Sequence, residues 1–260
     1  MANEKIAIIL AVYNENKIIR SSLKNILGLG ADEVIVVDGA SSDGTLEIIQ
    51  KHSGSLKLIC SSVANRAEQM NRGAGTTSSD IFVFIHADTM LPPNAISAIR
   101  QKIHEGFIGG GFAKRYDQSK FILTLYQKVL NAVYLRLLKG LVGTNAIFVR
   151  KDVFYRLQGY SVVDFMEDVL FSEKLKKAGP LAFINDPVTV SSRLYLKHGC
   201  LAQILRNAWI LFQYKVLGRH PNTLRKTYWK QDKNNDAKGK EDYVCSRAEP
   251  LVTINNKGEL

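Results

Sequence analysis

The chain has 260 residues, 35 Lys and Arg against 24 Asp and Glu, and a net charge of +11. That length buries a sizeable core without forcing a second domain, and no apolar run approaches the roughly 18 residues of a membrane-spanning helix. The three cysteines, Cys60, Cys200 and Cys245, are odd in number and widely spaced, which argues against a disulfide framework and for a reducing compartment.

Met1–Lys5 passes straight into an apolar run, so no cleaved leader is expected and the chain is read as cytoplasmic. Lys5–Val12 reads as the first strand. A helix follows, with Ile18, Ile19, Leu23, Ile26 and Leu27 on one stripe and Gly28 and Gly30 stopping it. The second strand, Glu33–Val37, closes on Asp38. Gly39–Thr45 is a turn supplying caps to the next helix, with Asp43 a better helix cap than ligand contact. Leu56–Cys60 is a short third strand, Ala64–Ala74 a helix and Ile81–Ile85 a fourth, fully apolar strand. Strands alternating with helices are the pattern of βαβ units and a parallel sheet.

Pro92-Pro93 opens another helix. Gly109–Phe112 then reads as a flexible or closely approached backbone segment, Ser119–Lys139 as one long helix and Asn145–Arg150 as a strand. Gly159–Phe165 is a loop leading into a helix near Glu167. Leu181–Ile184 and Val188–Val190 are two short strands, and Leu201–Leu217 is a helix. Residues 231–260 are polar and read as a flexible tail. No internal repeat is visible.

The charge is uneven. Asp and Glu are absent from Gln118 to Lys151 and again from Pro187 to Lys230, two stretches that hold fourteen of the Lys and Arg. A basic surface attracts phosphates of nucleotides, nucleic acids or anionic lipids. The apolar arc of Leu123–Leu138 reads as core first, with a peripheral membrane surface as the alternative. Trp209, Phe212, Tyr214 and Trp229, among basic residues, permit the same alternative. No nucleic-acid-binding motif accompanies the charge.

Acidic groups close the apolar strands: Asp38 after the second, His86-Ala87-Asp88 after the fourth, and Glu167-Asp168 at a later helix start. The carboxyl ends of strands are where open α/β sheets bind ligands, and a carboxylate there can hold Mg²⁺ or Mn²⁺ against a diphosphate. Together with Ala11-Val12-Tyr13-Asn14-Glu15, Val36–Thr45 and Asn65-Arg66-Ala67-Glu68-Gln69-Met70-Asn71, these occur in the order seen in family 2 glycosyltransferases. The chain resembles that family from Lys5 to about Lys230, most closely a bacterial subgroup with a His-Ala-Asp metal motif.

The resemblance implies a GT-A, Rossmann-like α/β fold: a mainly parallel sheet flanked by helices. It implies one domain over 1–230, with a nucleotide-binding half to about 115 and an acceptor half over about 116–230. It implies an inverting transfer of a sugar from a nucleotide-diphosphate donor, UDP-linked by expectation, to an acceptor hydroxyl. Tyr13 and Asp38 would hold the base, by ring stacking and by accepting an imide N–H. Ala11, Ala87, Glu15, Arg66 and Arg193 would complete the nucleotide site, the guanidinium groups matching phosphate oxygens. Asp88 would carry the divalent cation. His86, where the family has an acid, and His198 are further ligand candidates, and imidazole favours Mn²⁺ over Mg²⁺. Asp168 would be the general base, with Glu167 orienting the acceptor.

Each residue keeps a plainer reading. Tyr13 can close a strand, Asp38 cap a turn, Arg66 pair with Glu68 or another acid, His198 lie on the surface, and Glu167-Asp168 favour a helix N-terminus. A lipid-linked acceptor would suit contact with an anionic membrane at the inner face of the cell membrane. The rival readings are a nucleotidyltransferase, which lacks its glycine- and lysine-bearing loop here, and a non-catalytic module for anionic lipid or nucleic acid.

Overall fold

The computed structural model describes residues 4–137, 140–225 and 228. The expected flexible tail, 231–260, and Trp229 lie outside them. β1 (Ile6–Val12) is buried along its whole length and sits between β2 (Glu33–Asp38) and β4 (Ile81–His86), parallel to both. β3 (Lys57–Cys60) adds a further parallel strand outside β2.

Successive strand side chains point to opposite faces, so each central strand feeds two cores. Ile6, Ile8, Leu10 and Val12 pack with Ile19, Leu23 and Ile26 of α1 (Ile19–Leu27) and with Ile96, Ile99 and Ile103 of α4 (Ala95–His104). Ala7, Ile9 and Ala11 face α3 (Arg66–Gly75) and α7 (Glu167–Ala178) through Met70, Ala74, Phe171 and Leu175. Burying each large aliphatic or aromatic side chain stabilises by about 1.5–3 kcal/mol. α3 lies close to the sheet because Gly73 has no side chain: a Cβ there would stand 2.5 Å from Ile9 Cγ2.

Beyond β4 the sheet is mixed. Eight strands run in the order β3-β2-β1-β4-β7-β6-β8-β5. β7 (Ile147–Arg150) pairs antiparallel with both β4 and β6 (Gly109–Tyr116). β6 is parallel to β8 (Leu181–Val190), and β5 (Thr89–Met90) closes the far edge against β8. Three helices line the remaining surface: α5 (Phe121–Val129), α8 (Arg193–His198) and α9 (Cys200–Lys215). The short α2 (Thr45–Gln50) and α6 (Lys151–Arg156) complete the set.

The glycine run, expected as a flexible or closely approached segment, is closely approached: it is strand β6, where Cβ atoms would collide with the flanking strands, at 2.6 Å from Phe148 O for Gly109 and 2.0 Å from Ala182 O for Gly110. Three other expectations change. The two short strands expected after residue 180 are one, β8. It carries Pro187 past a register shift opposite Phe112–Lys114, where a missing N–H costs little. The long helix over 119–139 is α-helical only to Val129 and continues as a π-helix from Leu130 to Leu137. Its apolar arc is only partly core: Leu123 and Leu135 are buried, while Leu125, Val129 and Val133 are 53%, 50% and 44% exposed.

Candidate active site

The carboxyl ends of the parallel strands are level. Ala11 stands opposite His86, and Val12 opposite Asp38. Gln69 of α3 fixes this edge by donating from Nε2 to Val12 O at 2.8 Å and to Val37 O at 2.7 Å. Gly39 is required beneath it, since a Cβ would lie 2.9 Å from that Nε2.

The loops after β1 and β2 are tied together. Asn14 N–H donates to Ser41 Oγ at 2.9 Å and Ser42 N–H to Asn14 Oδ1 at 2.9 Å. Glu15 N–H donates to Thr45 Oγ1 at 2.8 Å, and Asn16 N–H to Asp43 Oδ2 at 3.1 Å. Asn14 and Ala40 both hold left-handed backbone conformations, a cost these bonds offset. Asp43 Oδ1 also accepts from Thr45 N–H at 3.0 Å at the start of α2. Its acid is therefore a local turn group, and its pKa is held below the usual carboxylate range by these bonds against the opposing effect of burial.

Asp38 is 1% exposed. One carboxylate oxygen accepts from Ser41 N–H at 2.9 Å, and the other is buried with no partner. An unpartnered buried carboxylate oxygen invites a ligand donor. Tyr13, half-buried, follows Val12, the register partner of Asp38. Glu15 does not start α1 with its side chain; it accepts from Arg193 Nη2 at 2.7 Å, joining the β1 loop to α8. That bond raises the Arg193 pKa.

A cleft of about 480 Å³ opens next to this corner, lined by Arg66, His86, Asp88, Lys114, Glu167 and Asp168 among others. Arg66, first residue of α3, donates from Nη1 to Glu167 Oε1 at 3.2 Å, while Glu68 pairs with Arg72 at 2.8 Å. Arg66 is thus tied to an acid 101 positions away and not to its helical neighbour. Glu167 is buried; desolvation and the neighbouring Asp168 raise its pKa, and Arg66 opposes them. Desolvation works against the charge of Arg66, yet Glu167, Asp168 and Asp88 together raise its pKa.

The entry to α7 is built for this acidic pair. Met166 adopts a left-handed conformation, which turns the chain into the helix. Asn71 braces the preceding loop, donating to Tyr160 O and accepting from Tyr160 N–H, both at 2.9 Å. Asp168 Oδ2 accepts from Gly143 N–H in a short bond, and Oδ1 from Val169 N–H at 2.7 Å. Gly143 also seats His86: a Cβ there would stand 2.3 Å from the imidazole Nε2.

His86 Nε2 is buried without a hydrogen-bond partner, and desolvation, then the Arg66 charge, keep the ring well below its ordinary pKa. A neutral imidazole with an unused nitrogen beside a carboxylate fits a divalent cation. Asp88 Oδ1 accepts a long bond, 3.4 Å, from Thr89 Oγ1. Burial raises its pKa against the pull of Arg193 and Arg66. Among the described residues no group of three or more His, Cys, Asp or Glu forms a metal cage. His198 stands at the end of α8 and is not among the residues lining the cleft; its expected metal role finds no support there.

The sequence reading missed Lys114, Gly143 and the cleft's aromatic end. There Tyr116 donates to Tyr195 Oη at 2.9 Å and Asn207 to the same oxygen at 3.1 Å. Tyr126 and Tyr134 line the same side.

A parallel β3-β2-β1-β4 half, a mixed half and a cleft at their junction define the GT-A fold of nucleotide-sugar transferases. Solved structures with this fold include TarS from Staphylococcus aureus, 14% identical, TM-score 0.62, covering 89% of this chain and 74% of that one. The mannosyltransferase PcManGT from Pyrobaculum calidifontis, solved with GDP-Man and Mn²⁺, is 19% identical with TM-score 0.63 over 88% of this chain and 70% of that one. Residues 7–155 match the profile of glycosyl transferase family 2, and the chain belongs to that family. Poly-beta-1,6-N-acetyl-D-glucosamine synthase of S. aureus is 32% identical over 97 residues, 35% of this chain and 24% of that protein. The undecaprenyl-phosphate 4-deoxy-4-formamido-L-arabinose transferase of Salmonella paratyphi B is 26% identical over 157 residues, 56% of this chain. The chain spans under half the length of either relative, 24% and 48%.

Proposed function

We propose that this protein transfers a sugar, with inversion, from a nucleoside diphosphate sugar to an acceptor hydroxyl. The observation that carries the reading is the meeting of Arg66, Asp88, Glu167 and Asp168 in one cleft, beside the buried, half-unpartnered carboxylate of Asp38. Tyr13 and Asp38 would hold the base, UDP being the expected donor class, with Ala11, Ala87 and Glu15 shaping the nucleotide corner. Asp88 and His86 would hold a divalent cation, Mn²⁺ by preference for the imidazole. Such an ion neutralises charge on the departing diphosphate.

Asp168 acts as general base. The acceptor oxygen attacks the anomeric carbon, the bond from that carbon to the diphosphate oxygen breaks, and the acceptor proton passes to Asp168. The Gly143 and Val169 N–H groups leave each carboxylate oxygen a further lone pair for this task. Arg66, tethered by Glu167, and Arg193, tethered by Glu15, face the leaving group with fixed positive charge.

The acceptor is read as lipid-linked, with the protein resting on an anionic membrane. Phe121, Leu125 and Val129 on α5 and Leu201, Leu205 and Trp209 on α9 are exposed at helical spacing, in segments free of acidic residues. Among the described residues no helix is long and apolar enough to cross a membrane.

The test is a donor screen. The full chain is incubated with UDP-, GDP- and dTDP-sugars and Mn²⁺ or Mg²⁺, following thermal stabilisation and slow release of nucleoside diphosphate. Stabilisation by one donor class with slow release supports the reading; none with any donor or metal would remove it.

A further inference from the structure

Lys114 is a buried charged residue of the cleft that the transfer chemistry leaves unused. It lies on β6, 8% exposed, with Phe112 and Tyr116 on the same strand face, and its side chain lines the cleft. Its backbone is clamped on both sides by Asn131, whose Oδ1 accepts from Lys114 N–H at 3.1 Å and whose Nδ2 donates to Lys114 O at 2.9 Å. The ammonium is far less well served. Nζ donates one long bond, 3.4 Å, to Thr144 Oγ1.

Burial lowers the Lys114 pKa to about 8, against the opposing field of Asp168. An ammonium offers three donors, and a buried one with unmet donors is costly unless something anionic meets it. Leu130, Tyr126 and Tyr134 line the same cleft, and their apolar surface strengthens attraction to any charge that enters. Arg225, held by Asp164 at 2.8 Å, adds a second cation to the lining.

We propose that Lys114 is an acceptor-selecting residue that binds a phosphate group carried by the acceptor, next to the hydroxyl facing Asp168. The proposal rests on the reading of this cleft as a glycosyl-transfer site. The phosphate can belong to a lipid headgroup or to a soluble phosphomonoester, and the chemistry at Lys114 is the same.

The test uses the full chain with nucleoside diphosphate and Mn²⁺ present, so that the donor corner is filled. Phenyl phosphate is titrated by calorimetry into the parent, Lys114→Arg, Lys114→Gln and Lys114→Met. Saturable binding is expected, kept within a few-fold by Lys114→Arg and weakened about tenfold or more by the two neutral variants, the loss of one charged contact. Lys114→Met matches the apolar walls, so one neutral variant remains if Lys114→Gln does not fold. Nucleoside diphosphate affinity is expected to be unchanged in all variants.

Parallel sedimentation with phosphatidic acid vesicles separates the sources. Lys114-dependent retention on vesicles assigns the phosphate to a lipid, and Lys114-dependent binding of phenyl phosphate alone assigns it to a soluble acceptor. Equal phenyl phosphate binding by parent and neutral variants, or none by the parent, overturns the proposal. Phenyl phosphate binding without any nucleoside diphosphate binding would instead leave the phosphate site standing and remove the glycosyl-transfer reading.

Discussion

Arg66 Nη1 and Glu167 Oε1 stand 3.2 Å apart, a single contact that locks the first residue of α3 to the first residue of α7. The Arg66 side chain is 53% exposed while that of Glu167 is 5% exposed, so the acid is sheltered and Arg66 lines the cleft. Arg66→Met is expected to weaken nucleoside diphosphate binding by about tenfold or more, the scale of one charge-assisted hydrogen bond. Calorimetric titration checks it. An unchanged affinity would leave Arg66 as a helix tie alone.

Asp168→Asn keeps size and shape while removing the basic carboxylate. Donor affinity should stay within a few-fold, and transfer to acceptor should fall by about 10²–10⁴, the usual contribution of a general base. Transfer at the parental rate would reduce Asp168 to a carboxylate that merely fastens α7 to Gly143.

Asp88→Ala should abolish the extra thermal stabilisation that Mn²⁺ gives to the nucleoside diphosphate complex, with the ligand-free melting temperature little changed. His86→Asp should keep metal-dependent binding and shift preference toward Mg²⁺, because oxygen ligands suit the harder ion. Persistent Mn²⁺-dependent stabilisation in Asp88→Ala would take that residue out of the metal site.

The depressed pKa of Lys114 has a defined sign. With a folded value of about 8 against the ordinary lysine value of 10.5, the unfolded chain binds more protons between those two pH values. Its cost to stability is therefore full below pH 8 and relieved as pH rises toward 10.5. Lys114→Met should be more stable than the parent at pH 7 by up to about 3 kcal/mol, with the gap closing above pH 8. Denaturant titrations at pH 7 and 9.5 measure it, and a gap that does not change with pH would show an ordinary lysine.

The exposed apolar faces of α5 and α9 should carry the protein onto vesicles containing anionic lipid, with release as salt screens the basic residues beyond about 10 Å at 0.1 M. Trp209→Asp and Phe121→Asp should each reduce the bound fraction. Equal binding to neutral vesicles at all salt concentrations would leave the charge without a part in it.

The parallel half was legible because β1, β2 and β4 are largely continuous apolar runs, and such runs have few alternatives to a buried parallel strand. Asp38 and Asp88 stand out as candidates from their place after two of those runs, and Asp168 from its place at a helix start. The mixed half was not legible, because its signals are inverted. Gly109-Gly110-Gly111 looks like loop punctuation, but glycine is what lets three backbones approach, and Pro187 looks like a strand terminator while sitting at a register shift. Once β6 is misread, Lys114 is invisible. Only the strand's period of two places it on the buried face with Phe112 and Tyr116. Gly143 carries no sequence signal at all, since its importance lies in the ring of His86 resting against it.

Strand order has a consequence for synthesis. The first four strands of the parallel half are complete once His86 leaves the ribosome, yet the outer edge of β4 has no partner until β7 arrives at Ile147. β6 is made before either of its neighbours and must wait for both. At about 5–20 residues per second, the roughly sixty residues between β4 and β7 leave an apolar strand edge open for some 3–12 seconds. That window makes the stretch of synthesis between His86 and Ile147 the stage most exposed to edge-to-edge aggregation.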